Sequence, residues 1–296
     1  MRVNRFIVAM SLAATCFLGT FAGNGITAEA AFIEKPEVKK AQEDMRKEEI
    51  TDYSVIFNAD YYYNRYPDLQ VTLGKDADAL LEHFVKHGMK EGRVGSANFD
   101  VKGYMKNNLD LVGLLKTNDL TLYYTHYANY GLKEGRIALY QEGQVPKQGV
   151  LASHTTYYDV KEQRAINVEL AASRINGLVI KPGKSFSYSN AVGSRTVENG
   201  YVDGPSFANG KEVSSIGGGI CQVSTNLYAA MLLAGITPTE HHYHGLPVDY
   251  APTGLDAAIA ENYLDLRFKN TYDYDIIIEA IAKDGVLTVS LLKGTN

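Results

Sequence analysis

Hydrophobic and polar residues follow three different patterns along the 296-residue chain. An apolar run from Phe6 to Phe21 is almost unbroken, and residues 51–140 place Tyr, Phe and Leu at helical spacing. Beyond residue 150 the chain changes to short alternating or clustered apolar segments, with two helical stretches among them. Asp159 with Glu162 is the predicted start of the first, which ends near Asn176-Gly177. The predicted strands are 263–269, 275–282 and 286–292, and Asp284-Gly285 is a hairpin signal between the last two. We therefore predict an α+β chain, in which an all-α module is followed by a mixed α/β domain with antiparallel strands.

The first thirty residues have the layout of a secretory signal peptide. Arg2 and Arg5 precede the apolar run, and Ala28-Glu29-Ala30 provides a cleavage site of small residues. A membrane anchor is the alternative, but a run of about 16–17 residues is short for a span. Lipoprotein processing at Cys16 fits less well, because the apolar run continues beyond it. We predict that residues 1–30 are removed and that the mature protein is secreted, without a transmembrane segment.

Two segments of the helical module share one sequence pattern. Residues 57–93 resemble residues 99–136 in sequence. Corresponding positions are 42 residues apart at first and 43 apart after one inserted residue. Both contain an Asp-Leu pair, a His followed by an aromatic residue, and the run Gly-x-Lys-Glu-Gly-Arg. We predict two helical repeats of about 42 residues within 51–140, flanked by linkers at 31–50 and 141–150. The first of these ranges is rich in Glu and Lys, which is typical of a solvated linker or an exposed helix.

Each predicted repeat has its own capping and histidine positions. Asn58 and Asp100 are predicted N-caps, and Gly88 and Gly131 are predicted C-terminal caps. The repeated histidines, His83 and His126, recur beside an aromatic residue, which favours packing over a ligand role. The pair of repeats resembles short tandem repeats of wall-associated proteins in Gram-positive bacteria. That resemblance implies docking on wall glycan or protein, with a passive spacer as the alternative.

Composition changes this picture in two respects. The formal net charge is −5, and a mildly acidic chain is a poor nucleic-acid binder, so we expect no nucleic-acid partner. The chain has 2 Cys, too few for a disulfide framework. After removal of residues 1–30 the single thiol is Cys221, and an unpaired thiol in a secreted protein is a candidate reactive group.

The segment around Cys221 carries the most informative chemistry. Gly217 to Gly219 precede it, and apolar residues at helical spacing follow as far as Gly235. Cys221 therefore lies in the predicted first turn of a helix, where free N–H groups and positive potential favour a thiolate. The glycines allow close approach of a substrate and can direct N–H groups at an oxyanion. These are the components of a cysteine acyl-transfer site.

A base for that thiol is offered by the cluster of residues 240–244, Glu-His-His-Tyr-His. In an extended segment His242 and His244 would share one face, and His241 would lie on the other. Either His242 or His244 can then take the thiol proton and return it to a leaving amine. Asp256 is the candidate that orients the histidine.

Two other interpretations of the thiol stay open on these residues. Cys221 can be an inert packing residue behind a tight glycine turn, because free Cys is often buried. Alternatively, Cys221, His242 and His244 can bind zinc with a fourth group, although a Cys-x-x-Cys pair is missing. We favour acyl transfer and expect no metal site.

The same residues make the C-terminal half resemble the VanW domain family. The run Gly-Gly-Gly-Ile-Cys-Gln-Val-Ser-Thr is highly specific, and His241 stands where many members have Arg. The matching runs are 181–189, 217–228, 242–248, 254–257 and 264–268. The resemblance implies a VanW-like catalytic domain over residues 151–296.

Some members of this family act as L,D-transpeptidases with the motif cysteine as nucleophile. The resemblance therefore implies a secreted, wall-associated cysteine acyltransferase of a Gram-positive bacterium that acts on peptidoglycan stem peptides and needs no cofactor. The thiol would be acylated by a donor tetrapeptide stem and then resolved by an amine on a neighbouring stem, which gives a 3→3 cross-link.

Roles for individual residues follow from this reaction. The catalytic candidates are Cys221, His242, His244 and Asp256. Candidates for oxyanion and substrate binding are Ser215, Gly218, Gly219 and Tyr243, with Tyr201 and Ser206 as further substrate contacts. The alternative function is a non-catalytic cell-wall-binding accessory protein of the vancomycin-resistance type, in which the thiol is unreactive; the helical repeats favour it.

Overall fold

The fold comes from a computed structural model, in which the structure describes residues 36–141, 147–208, 211–260 and 263–294. The predicted signal peptide lies outside the described residues. Within the described ranges, no helix combines the length and the apolarity that a membrane span requires.

The N-terminal region consists of short helices. The α-helices are α1 (Pro36–Lys47), α2 (Ala59–Arg65), α3 (Pro67–Thr72), α4 (Ala77–His83), α5 (Met89–Glu91), α6 (Val101–Asn107), α7 (Leu109–Leu115) and α8 (Thr121–His126). A 3₁₀ turn spans Tyr53–Val55, and π-helical turns span Phe84–Gly88 and Tyr127–Gly131. This confirms the predicted helical region.

The predicted N-caps are confirmed, whereas the predicted C-caps are wrong. Asn58 Oδ1 accepts the Tyr61 N–H at 2.8 Å, and Asp100 caps α6 in the same way. The chain stays helical through Gly88, and it turns left-handed only at Gly92, with φ 71°.

A close approach explains why glycine stands at Gly88 and Gly131. A Cβ on Gly88 would collide with the Tyr62 hydroxyl, and one on Gly131 would collide with the Tyr104 hydroxyl. Each glycine therefore makes room for a buried tyrosine, which is a different task from ending a helix.

The two segments of this region carry matching contacts. Tyr62 Oη lies 3.1 Å from His83 Nδ1, and Tyr104 Oη lies 2.7 Å from His126 Nδ1. Both histidines thus serve packing, as their spacing predicted. That the segments are tandem copies of one unit stays a prediction.

Helix α1 occupies part of the range predicted as the first linker. It packs on α7 and α8, and Val38 and Gln42 on it are buried. Gln42 Nε2 donates to the Leu115 carbonyl at 2.5 Å. This segment therefore adds to the helical core.

The C-terminal region is a mixed α/β fold. Its elements are β1 (Val150–Tyr157), α9 (Arg164–Ile175), β2 (Val179–Ile180), β3 (Ser185–Ser187), α10 (Tyr188–Val192), β4 (Asp203–Ala208), β5 (Lys211–Ile216), α11 (Ile220–Leu233), β6 (Pro238–Glu240), β7 (Arg267–Lys269), β8 (Ile276–Lys283) and β9 (Val286–Lys293). The sheets have the orders β1-β9-β8-β2, β3-β7-β6 and β4-β5. Every pairing is antiparallel, as predicted.

Helices α9 and α11 pack against the four-stranded sheet and form the core with it. Helix α11 is buried nearly all round, and its polar side chains are buried together with its apolar ones. Such burial is stable only when each polar group has a hydrogen-bond partner. The partners, described below, determine where the thiol lies.

Some predicted elements differ from the observed ones in length. The Asp284-Gly285 hairpin is confirmed, with φ 51° and 80° at the two turn residues. Strand β7 is limited to Arg267–Lys269, shorter than the predicted 263–269. Asp159 does not begin a helix; its carboxylate accepts the Lys161 N–H at 2.8 Å in a turn, and α9 starts at Arg164.

Candidate active site

Cys221 lies in the first turn of α11, directly behind a glycine loop. Gly219 precedes the helix with φ 107°, a conformation that side chains with a Cβ rarely adopt. Gly218 packs so closely on the Gly204 carbonyl that any Cβ would collide with it. The loop needs glycine at both positions, and it delivers the thiol to the helix N-terminus as predicted.

A pocket of about 450 Å³ opens at this thiol. The side chain of Cys221 is partly buried, and the Ile259 N–H donates to its sulfur at 3.4 Å. The pocket is lined by Glu162, Arg164, Arg195, Pro205, Ser206, residues 215–221, residues 243–245, residues 247–250, residues 258–260 and Leu264. The thiol is therefore exposed to a cavity that can hold a small peptide.

His244 is the histidine that the structure brings to Cys221. The Asp256 carboxylate accepts the His244 backbone N–H at 2.7 Å and the ring Nδ1–H at 2.9 Å. The His244 ring also forms a hydrogen bond with the Cys221 side chain. Because Nδ1 already bonds Asp256, this second bond uses Nε2. Cys221, His244 and Asp256 thus form one hydrogen-bonded chain.

Electrostatics in this chain favour a protonated imidazole. Burial lowers the pKa of His244, but hydrogen bonds to Asp256 and Cys221 outweigh it and raise that pKa to about 9. Burial raises the pKa of Asp256, yet the hydrogen bonds from His244 leave that pKa below its usual value. An ionised carboxylate therefore supports a charged ring next to the sulfur.

Buried polar residues of α11 hold the segment that carries Asp256. Ser224 Oγ donates to the Ala257 carbonyl at 2.7 Å, and Thr225 Oγ1 accepts the Ala257 N–H at 3.0 Å. The ring of His241 donates from Nε2 to the Asp256 carbonyl at 2.7 Å. The Ser-Thr pair that follows the cysteine in sequence therefore positions the carboxylate relative to the thiol.

Two further α11 residues fix the helix to the sheet. Gln222 Nε2 donates to Thr156 Oγ1 and to the Tyr157 carbonyl, each at 2.9 Å. Asn226 Nδ2 donates to the Leu287 carbonyl at 3.0 Å. These contacts satisfy the buried amides and explain why a polar run follows Cys221 inside a buried helix.

The other two histidines of the cluster lie elsewhere. His242 Nε2 contacts Glu240 Oε1 at 3.1 Å, and its ring does not line the pocket. His241 stacks on Tyr228 with 3.9 Å between ring centroids, and burial lowers its pKa to about 4. Because residues 241–244 do not form a strand, the two-face rule for an extended segment does not apply to them.

The predicted substrate-binding residues are divided between pocket and core. Ser206, Ser215, Gly218, Gly219 and Tyr243 line the pocket. The Gly218 N–H is already donated to the Ser215 carbonyl at 3.1 Å. Tyr201, by contrast, is fully buried and donates to the Val192 carbonyl at 2.9 Å, so it serves the core.

Among the pocket residues that the sequence analysis did not identify are Arg164, Arg195 and Tyr250. Arg164, at the start of α9, donates to Gln222 Oε1 at 2.8 Å and lies 5.9 Å from the ring centre of Tyr250. The aliphatic stem of Arg195 packs against Gly217. They come from segments distant in sequence, and no local pattern marks them.

The described residues contain no group of three or more His, Cys, Asp or Glu side chains arranged to hold a metal ion. Cys221, His242 and His244, considered above as zinc ligands, do not form such a group, because His242 faces Glu240.

Comparisons with known proteins cover the half of the chain that carries this site. Residues 163–292 match the family described as VanW like protein. The uncharacterized protein YoaR of Bacillus subtilis (strain 168) is 34% identical over 142 residues, which is 48% of this chain and 47% of YoaR. The vancomycin B-type resistance protein VanW of Enterococcus faecalis (strain ATCC 700802 / V583) is 35% identical over 130 residues, 42% of this chain and 47% of that protein.

The matched segments span about half the length of these curated relatives. No solved structure matches the chain significantly.

Proposed function

Residues 163–292 of this chain form a VanW-like domain, and from that premise we propose that the protein is a cysteine acyltransferase of peptidoglycan, an L,D-transpeptidase that forms 3→3 cross-links. The observation that carries the proposal is the hydrogen-bonded chain of Cys221, His244 and Asp256 at a pocket of about 450 Å³. A nucleophile, a base and a group that orients the base are the parts that acyl transfer requires.

The first half of the reaction is acylation of the thiol. With its pKa raised to about 9, His244 is protonated at neutral pH and faces the sulfur as an imidazolium. The Cys221 thiolate attacks the carbonyl carbon of the third residue of a donor tetrapeptide stem. A C–S bond forms, the amide bond to the terminal D-Ala breaks, and His244 gives its proton to the departing amine.

The second half resolves the thioester. An amine on a neighbouring stem attacks the thioester carbonyl, and the new C–N bond replaces the C–S bond. His244 takes the amine proton, and the sulfur leaves as a thiolate paired with the imidazolium. If water attacks in place of the amine, the product is a tripeptide stem, so the same site would also act as a carboxypeptidase.

The negative charge on the tetrahedral intermediate needs N–H donors nearby. The Gly218 N–H is occupied by the Ser215 carbonyl, so the candidates in this loop are the N–H groups of Gly219 and Cys221. The first turn of an α-helix has no internal acceptors for its N–H groups, and its positive end favours an anion. We assign the oxyanion to these two groups.

Two guanidinium groups in the pocket suit an anionic stem. Arg164 and Arg195 line the cavity that Cys221 shares, and arginine binds carboxylates well. Arg195→Gln is expected to raise the KM for a donor with a free carboxylate roughly tenfold. An amidated donor should show no such loss, and equal losses for both donors would contradict this role.

Location and partners follow from the same proposal. A substrate in the cell wall requires a secreted protein, in line with the predicted signal peptide. The relative named as a vancomycin B-type resistance protein favours a cell-wall context. Docking of the helical region on wall glycan or protein stays a further prediction.

Product analysis tests the reaction. The full chain would be incubated with tetrapeptide-bearing muropeptides, and the products analysed by mass spectrometry. From the wild type we expect 3→3 dimers, D-Ala exchange or tripeptides. Cys221→Ala should give none of these products, and Cys221→Ser should retain only a small fraction of the activity. Products that persist in Cys221→Ala would contradict the assigned nucleophile. Retention on wall fragments without any product would support the non-catalytic accessory function.

A further inference from the structure

The helical region reaches into the VanW-like site at one point, the end of α7. Lys116 Nζ hydrogen-bonds to the Tyr243 hydroxyl and lies 3.7 Å from the centre of its ring. Tyr243 lines the pocket and immediately precedes His244. The Lys116 ammonium thus contacts both the ring and the hydroxyl of Tyr243, and the two contacts together restrict the position of that side chain.

The backbone of Lys116 is unusual for a lysine. Its φ of 47° and ψ of 43° are left-handed, at the position after a helix where glycine is preferred. Among the described residues, only Asp284 is another non-glycine with positive φ. A lysine that accepts this strain points to a task for its side chain that glycine could not perform.

A second contact joins the same helix end to the site. Gly113 of α7 packs on the segment that leads to Asp256. A Cβ on Gly113 would lie 3.2 Å from the Thr253 carbonyl oxygen, and one on Gly254 would lie 2.8 Å from the Gly113 carbonyl oxygen. The helix therefore touches both chain segments that supply the His244–Asp256 pair.

The segment of residues 241–244 depends on such contacts, because it has no regular secondary structure. His241 fixes one end through the Asp256 carbonyl and the Tyr228 ring. The Tyr243 ring meets His241 edge-on, with 4.4 Å between centroids. Lys116 contacts the same Tyr243 ring.

We propose that Lys116 is a positioning residue for the candidate active site: by fixing the Tyr243 ring it holds the His244 imidazole at the Cys221 sulfur. In this proposal the helical region contributes a side chain, that of Lys116, which keeps the candidate active site in its geometry. This inference rests on the proposed role of the Cys221–His244 pair. It concerns a residue outside the matched range 163–292, so it is a property of this chain and not of the shared domain.

The test uses the reactivity of the thiol, which does not require acyl transfer to occur. The full chain and its Lys116→Met and Lys116→Arg variants would be treated with iodoacetamide at pH 7, and alkylation at Cys221 followed by peptide mapping. We expect Lys116→Met to slow alkylation roughly three- to tenfold, because His244 is held less often at the sulfur. Lys116→Arg keeps the charge and should restore most of the rate.

A backbone control separates positioning from strain. Lys116→Gly removes the side chain and relieves the left-handed strain, so it should retain thermal stability and still alkylate as slowly as Lys116→Met. Asp284→Gly is the matched control, since it relieves the same kind of strain at a hairpin exposed to solvent, and it should alkylate at the wild-type rate.

Equal alkylation rates in the wild type, Lys116→Met and Lys116→Gly would overturn the proposal. So would a slow Lys116→Arg variant with unchanged stability, since a retained cation should rescue a positioning role. If the Lys116 variants alkylate slowly but the wild type makes no cross-linked product, the positioning role stands and the transpeptidase proposal fails.

Discussion

Two histidines, one in each half of the molecule, are buried to a similar degree but differ in charge: the ring of His126 is neutral at pH 7, whereas that of His244 is protonated. His126 in the helical region is 8% exposed, and the side chain of His244 is also 8% exposed. Burial, helped by the nearby Arg136 charge, lowers the pKa of His126. His244 experiences the same burial, but its bonds to Asp256 and Cys221 raise its pKa to about 9. The identity of the partners, and not the depth of burial, decides which histidine can handle a proton.

The largest expected effect separates the two histidines directly. His244→Gln should reduce transpeptidation about 10²- to 10⁴-fold, because the proton carrier is lost. His126→Gln should leave the activity of folded protein unchanged. It should lower the free energy of unfolding by about 1–2 kcal/mol, because the buried Tyr104 hydroxyl loses its partner at 2.7 Å. Turnover assays measure the activity, and urea unfolding of the same preparations measures the free energy of unfolding.

The opposite results for the two variants would contradict the different roles assigned to His244 and His126. A His244→Gln protein with wild-type turnover would remove His244 from the mechanism, and a His126→Gln protein with no turnover would implicate the helical region in the chemistry.

The next effect concerns the carboxylate that distinguishes the two environments. Asp256→Asn keeps the shape of the side chain but removes the charge, so burial should pull the pKa of His244 back down. We expect turnover to fall about 10- to 100-fold. NMR titration of the His244 ring provides the check, and a ring that still titrates near pH 9 in Asp256→Asn would show that Asp256 is not the cause.

Stability should respond to pH in opposite directions at the two sites. Because the folded-state pKa of His244 is raised, its stabilisation is fully present below pH 6.5 and is lost as pH rises through about 9. The pKa shift of His244 corresponds to a contribution on the order of 3 kcal/mol to the free energy of unfolding. His126 stays neutral in the fold, so protonation of the unfolded chain below pH 6.5 destabilises the protein.

Urea unfolding at pH 6 and pH 10 checks these signs. The gap between wild type and His244→Gln should shrink at the higher pH, whereas His126→Gln should lessen the loss of stability in acid. A gap for His244→Gln that widens at pH 10 would reverse the assignment.

The smallest effect is expected within the histidine cluster itself. His242 contacts Glu240 and is one-third exposed, so His242→Gln should change turnover by no more than about twofold. A loss comparable to that of His244→Gln would restore His242 as a base and imply that the loop rearranges when substrate binds.

Sequence patterns predict the parts of this site that depend on local structure. The helix after Gly219 and the hairpin at Asp284 are specified by neighbouring residues, and both are observed. Three glycines and a helical pattern flank Cys221 and mark it as a candidate reactive thiol. Asp256 could be proposed as a partner, but only the buried Ser224 and Thr225 contacts explain how it is held.

The rest depends on contacts between distant segments, which a sequence does not display. The choice between His242 and His244 follows from an irregular loop, in which His244 bonds Asp256 and Tyr243 bonds Lys116 of another region. Arg164 and Arg195 reach the pocket from their own elements, and neither lies in a recognisable motif. The left-handed lysine is likewise visible only in the backbone.

The central claim is that the Cys221 sulfur becomes covalently acylated by a stem peptide. Intact-protein mass spectrometry of acid-quenched mixtures with a tetrapeptide muropeptide measures this directly. We expect an adduct whose mass equals the donor minus D-Ala, mapped to Cys221 and absent from Cys221→Ala. A wild-type protein that turns over donor without ever carrying this adduct, or an adduct on another residue, would contradict it.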